Sequence, residues 1–124
     1  MLKKLLPVLL LVLTFGAFNL TSSASASTYG VVLEPAKDGH YVKSTSSVYI
    51  SGNVNIKVDN LSSSTGIHYY LMDSKGNVVS EGTQFYYNQP KNYSRTVPAG
   101  YYRLYLETIV NTKDAKAVGS ITPY

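Results

Sequence analysis

From Ser47 to Asp59 the chain alternates between apolar and polar residues. Val48, Ile50, Val54, Ile56 and Val58 share one parity; Ser47, Tyr49, Asn53, Asn55, Lys57 and Asp59 share the other. A period of two over this length predicts a strand with one buried and one wet face. Gly52-Asn53 reads either as a two-residue hairpin turn or as a bend in one long strand, because the parity is unbroken across it. Ile67, Tyr69 and Leu71 alternate with His68, Tyr70 and Met72, and the turn formers Asp73-Ser74-Lys75-Gly76-Asn77 lead into Val78-Val79, which predicts a hairpin. Thr83 to Tyr87 reads as another strand, broken before Asn92 by Pro90, which cannot donate to a central ladder.

Tyr93, Arg95 and Val97 run into Pro98-Ala99-Gly100, a proline-initiated turn. The clearest alternation follows. Tyr102, Leu104, Leu106, Thr108 and Val110 take one face; Tyr101, Arg103, Tyr105, Glu107 and Ile109 take the other. Val118 to Thr122 closes the pattern, and Val31 to Leu33, ended by Pro35, can open it. No stretch after residue 27 keeps a helical period at useful length. Short strands at intervals of roughly 8–12 residues predict an all-β chain whose apolar rows must meet a second sheet. The expected fold is a two-sheet antiparallel β-sandwich of jelly-roll type, with a small β-barrel as the alternative.

The start of the chain reads differently. Met1-Leu2-Lys3-Lys4 is basic, Leu5 to Phe18 is almost wholly apolar, and Ala24-Ser25-Ala26 has the small-x-small form that a signal peptidase accepts. The apolar run is shorter than the roughly 20 residues of a membrane span. The expectation is a cleavable signal helix over 1–26, cut between Ala26 and Ser27, or after Ser22-Ser23-Ala24. An extended segment over 27–45 and a sandwich domain over 46–124 follow it. The product is then secreted, with no membrane partner after processing. It has no cysteine. A disulfide-free exported domain of this size fits Gram-positive secretion, where the sequons Asn60-Leu61-Ser62 and Asn92-Tyr93-Ser94 are accidental.

Charge excludes one class of partner. Without Lys3 and Lys4, nine basic and seven acidic residues remain, scattered singly, so the product is near +2. Nucleic-acid binding needs a clustered basic face, and none is present.

The inventory for catalysis is thin. There is no thiol, and the serines fall mostly in tail and loop segments. A Ser-His-acid site needs His40 or His68 as base; one lies in a turn and the other in a strand. Asp73 to Asn77 places Lys75 where a calcium loop needs an oxygen ligand, so it reads as a hairpin turn. Two histidines fall short of a zinc set. No enzyme activity, metal or cofactor is expected.

Tyrosine is the unusual feature: twelve, with no tryptophan. Tyrosine is a good strand residue and serves as cross-strand filler. The doublets at 69–70, 86–87 and 101–102 nevertheless put one ring on each face of three strands, so some are exposed. An exposed tyrosine offers a flat apolar ring with a hydrogen-bonding tip, suited to sugars, peptides or protein surfaces. Tyr49, Tyr101, Arg103 and Tyr105 are the expected contact face. Cell-wall polysaccharide or an extracellular protein is the expected partner. The alternative is an exported effector: an antimicrobial protein, a toxin or an inhibitor of a secreted enzyme.

Three segments occur in a telling order: Asn53-Val54-Asn55-Ile56-Lys57-Val58, then Tyr70 to Val79 around Asp73-Ser74-Lys75-Gly76, then Val97-Pro98-Ala99-Gly100-Tyr101-Tyr102-Arg103-Leu104-Tyr105-Leu106. Over about 46 to 122 this order resembles the bacterial prepeptidase C-terminal domain family. Those domains are jelly-roll sandwiches with a D-x-x-G hairpin and a glycine-tyrosine turn before the penultimate strand. The resemblance implies a non-catalytic domain of the kind appended to secreted enzymes. With 98 residues from 27 to 124, one domain's worth, no accompanying enzyme is expected in this chain.

Overall fold

The structure, a computed structural model, describes residues 27–124. The expected signal helix over 1–26 lies outside the described residues, as does Ala26 of the expected cut. Seven strands and one short helix follow in order: β1 (Tyr29–Leu33), α1 (Pro35–Asp38), β2 (Val42–Ser44), β3 (Val48–Asn60), β4 (Ile67–Asp73), β5 (Val78–Gln84), β6 (Lys91–Thr108) and β7 (Ala117–Pro123). Every pairing is antiparallel, in the order β1-β7-β3-β6-β4-β5, with β2 added to β6. β1 and β5 end the series without pairing to each other, so the sheet does not close into a barrel.

Two long strands create the two layers. The first half of β6 pairs only with β3, while its second half takes β4 on one edge and β2 on the other. The second half of β3 takes β7, which in turn takes β1. One layer therefore holds β2, the start of β3, the end of β6, β4 and β5. The other holds β1, β7, the end of β3 and the start of β6. The layers meet face to face where β7 passes β6. A Cβ on Gly119 would stand 3.1 Å from Leu104 Cδ2 and 3.2 Å from Leu106 Cδ2. Leu33, Ile50, Ile56, Ile67, Leu71, Leu104, Leu106 and Ile121 fill the space between them, all fully buried. Each such side chain stabilises the fold by about 1.5–3 kcal/mol relative to exposure.

The corner between layers resolves one open reading and corrects another. Gly52, at φ 107°, is a bend inside the single strand β3 and not a hairpin turn. Opposite it, Ile50 pairs with Gly100 and Gly52 with Val97, so Pro98-Ala99 faces Ser51 alone. The expected turn at Pro98-Ala99-Gly100 is thus a β-bulge within one continuous strand. A bulge residue is not required to donate to the ladder, which accommodates proline, and the extra residue turns the strand between layers. It also switches parity: Val97 faces inward before it, and Tyr102 after it.

Other boundaries move for local reasons. The strand expected over Thr83–Tyr87 ends at Gln84, because Phe85 to Asn88 forms a closed turn. Phe85 N donates to Asn88 Oδ1 at 2.7 Å and Asn88 N donates to Phe85 O at 3.0 Å. β6 stops at Thr108, and Ile109 and Val110, expected to continue it, are exposed loop residues. Residues 29–44, expected as a segment ahead of the domain, supply β1 and β2 of the sandwich itself, and Leu33 lies in its core. Asn60 is buried with its amide donating to Thr65 O at 2.8 Å and Gln84 O at 2.9 Å, so the sequon there is structural.

Candidate binding face

The second half of β6 forms the spine of one outer surface. From Tyr102 onward its even residues point into the core, which turns Tyr101, Arg103, Tyr105 and Glu107 outward. Tyr49 on β3 lies opposite Tyr101, Met72 on β4 opposite Arg103, Tyr70 opposite Tyr105, and His68 opposite Glu107. Cross-strand neighbours on one face sit about 4.5–5.5 Å apart, close enough for rings to touch. They do. Tyr49 meets Tyr101 edge to face at 5.3 Å between centroids, and Tyr70 stacks on Tyr105 at 5.0 Å with planes 5° apart. His68 leans against Tyr70 at 5.0 Å. All four residues expected from the sequence, Tyr49, Tyr101, Arg103 and Tyr105, lie on this one face.

Exposure grades across it. Tyr49 and Tyr101 are 52% and 55% exposed, whereas Tyr70 and Tyr105 are half-buried by their stacking. Burial pushes the Tyr70 phenol up, and the adjacent Glu107 carboxylate adds to the effect; the hydroxyl donates to Glu107 Oε1 at 3.5 Å. The Tyr70 phenol therefore stays a protonated donor.

Polar groups occupy the two ends. Arg103 Nη1 donates to Thr45 O at 3.1 Å, which fixes the guanidinium and leaves its other N–H groups without a protein partner among the described residues. Next to it a shallow cleft of about 490 Å³ is lined by Ser47, Met72, Lys75, Tyr101, Arg103 and Tyr105 among others. Its far wall is the β4–β5 turn, and the carboxylate of Asp73 organises that turn. Asp73 Oδ1 accepts from Lys75 N at 2.9 Å and Asn77 N at 2.8 Å, and Oδ2 accepts from Asn77 Nδ2 at 3.1 Å. These bonds lower the Asp73 pKa. At the other end His68 lies between two carboxylates, with Nε2 3.0 Å from Glu81 Oε1 and Nδ1 4.0 Å from Glu107 Oε1.

The remaining tyrosines have other surroundings. Tyr102 is buried and donates its hydroxyl to Pro98 O at 2.5 Å, bracing the bulge. Tyr69 is buried, with its ring lying against Gly82. Tyr93 shares a hydrogen bond of 3.1 Å with Ser80, and Arg95 covers its ring. Tyr86 and Tyr87 belong to the β5–β6 turn, where Tyr87 stacks on Phe85.

Tyr70, Met72, His68, Glu81 and Glu107 complete the face and were not part of the contact set expected from the sequence. Their outward parity was legible there. That β4 is the neighbour of β6 was not.

At the level of sequence, no protein-family model and no curated protein matches this chain. In structure it is similar to the pre-peptidase C-terminal domain of a collagenase from Bacillus anthracis, with a TM-score of 0.54 and 16% identity. That likeness covers 77% of this chain and 86% of the other. A looser likeness, with a TM-score of 0.39 and 9% identity, is to a family two carbohydrate esterase from Cellvibrio japonicus, covering 80% of this chain and 34% of that one. The fold expected from the order of strand, hairpin and glycine-tyrosine turn, that of the prepeptidase C-terminal domain, is the fold this chain has.

Proposed function

We propose that the chain is a small secreted, non-catalytic β-sandwich that binds an extracellular polymer or protein surface through the outer face of β3, β6 and β4. The single supporting observation is the convergence of Tyr49, Tyr101, Tyr105 and Tyr70 with Arg103 on one surface. Cross-strand contacts hold these rings in place, so little side-chain freedom is lost when a ligand covers them. The fold likeness to a domain carried on a collagenase accords with an extracellular setting.

The test is retention of the purified chain on insoluble peptidoglycan, cellulose, chitin and immobilised extracellular-matrix protein. Wild-type protein is retained on one of these, and Tyr101→Ala or Tyr105→Ala weakens that retention about 5- to 30-fold, the range of a binding hot spot. Thr96→Ala, on the outer surface of the other layer, leaves it unchanged. Equal retention of all four proteins rejects the tyrosine face as the contact surface.

A further inference from the structure

The face is divided in charge along its length. At the corner end stand Arg103 and, across the cleft, Lys75 on the β4–β5 turn. Lys75 makes no ion pair among the described residues, and the Arg103 guanidinium is bonded only to a neutral carbonyl. The one acid of that cleft, Asp73, has both its carboxylate oxygens engaged by the turn it organises. At the opposite end stand Glu107 and Glu81, with His68 between them. Between the two ends lies the stacked pair Tyr70–Tyr105, an apolar platform. Arg103, Tyr105 and Glu107 succeed one another at alternate positions of a single strand, so cation, ring and anion are spaced by about 7 Å each.

An extended polypeptide has that same repeat. Its side chains at i, i+2 and i+4 project to one side at the same spacing as the residues beneath them. We infer that the ligand of this face is an extended polypeptide segment bearing an acidic, an apolar and a basic residue at successive alternate positions. The acidic side chain meets Arg103 and Lys75, the apolar one covers Tyr105 and Tyr70, and the basic one meets Glu107 and Glu81. A guanidinium with free N–H groups can pair with a carboxylate in two parallel hydrogen bonds, which fixes the anionic end. Charge complementarity of this kind sets register and rejects wrong partners. A uniformly anionic glycan meets repulsion at Glu107, and a neutral glycan leaves both ends unmatched. The inference rests on the tyrosine face being the contact surface.

The test uses the purified chain and four fluorescent twelve-residue peptides at physiological salt. One carries Glu-Ser-Leu-Ser-Lys at its centre; the others place Glu, Lys or Ser at both charged positions. The mixed peptide is expected to bind at least tenfold more tightly than the others. Arg103→Glu shifts the preference to the Lys peptide, and Glu107→Lys shifts it to the Glu peptide. The double variant restores the mixed peptide, which fits the reversed face by turning round. Circular dichroism verifies that each variant is folded, and Glu81→Lys substitutes for Glu107→Lys if the latter is not.

Equal affinity for all four peptides, or a charge swap without a change of preference, overturns the inference. Binding of cellohexaose with loss in Tyr105→Ala, and no peptide binding, overturns it while leaving the tyrosine face as the contact surface. If no probe shows binding that depends on Tyr101 or Tyr105, both readings fall.

Discussion

The two halves of β6 obey the same alternation and end up with opposite surfaces. Before the bulge, its outward residues are Asn92, Ser94 and Thr96, facing Lys57, Asn55 and Asn53 of β3. Small amides and hydroxyls pair there with one another: Asn55 Nδ2 donates to Asn92 Oδ1 at 3.0 Å, and Thr96 Oγ1 donates to Asn53 Oδ1 at 2.8 Å. After the bulge the outward residues are Tyr101, Arg103, Tyr105 and Glu107, and rings take the place of amides. The period is set by the backbone, whereas the use of each wet face is set by which side chains are spent on it. A face of short polar groups satisfies itself and is well solvated. A face of large rings keeps apolar area exposed, and a fixed guanidinium beside it keeps donors free.

Substitutions can separate what the halves share from what they do not. The largest effect belongs to the shared core. Leu104→Ala removes a fully buried side chain that reaches Gly119 in the opposite layer, and should cost about 2–5 kcal/mol in chemical denaturation. A single cooperative transition is expected, because both layers lean on that residue; two separate transitions would show the layers folding independently.

A smaller effect distinguishes the surfaces. Tyr105→Leu keeps apolar bulk but loses the stack on Tyr70, and should cost roughly 0.5–1.5 kcal/mol beyond area burial. Thr96→Ala, on the polar half, should stay within about 0.5 kcal/mol. Equal losses in the two variants would mean that the aromatic stack contributes nothing to the fold.

The smallest effect concerns the loops. Asp114 accepts hydrogen bonds from Ser64 at 2.6 Å, Thr112 at 2.7 Å and Ser63 at 2.8 Å, which tie the β3–β4 loop to the β6–β7 loop. These bonds lower its pKa to about 2 from 3.8. A carboxylate depressed on folding contributes stability that is fully present above its unfolded pKa and lost as pH falls through the folded one. Wild-type protein should therefore lose stability between pH 4 and about pH 2 more steeply than Asp114→Asn does. Parallel acid titrations of melting temperature would remove that role from Asp114. Neither half of β6 takes part, so binding by the tyrosine face should be indifferent to this substitution at neutral pH.

Much of this was legible in the residues themselves. Val48 to Val58 and Tyr102 to Thr108 declared their buried rows, because side chains on a pleated strand alternate whatever their neighbours are. The same parity turned Tyr49, Tyr101, Arg103 and Tyr105 outward. The order of strand, hairpin and glycine-tyrosine turn led to the fold that the three-dimensional comparison bears out.

Pairing is a different matter, since it joins residues far apart in the chain and leaves no local trace. Nothing in Tyr70 announces that it will stack on Tyr105, and nothing in Pro98 distinguishes a turn from a bulge until β3 is seen to pair on both sides of it. Local sequence thus determined which way each side chain points. Only the tertiary structure decided which strands lie side by side, and hence that four tyrosines, a guanidinium held by one hydrogen bond and two carboxylates share a single surface.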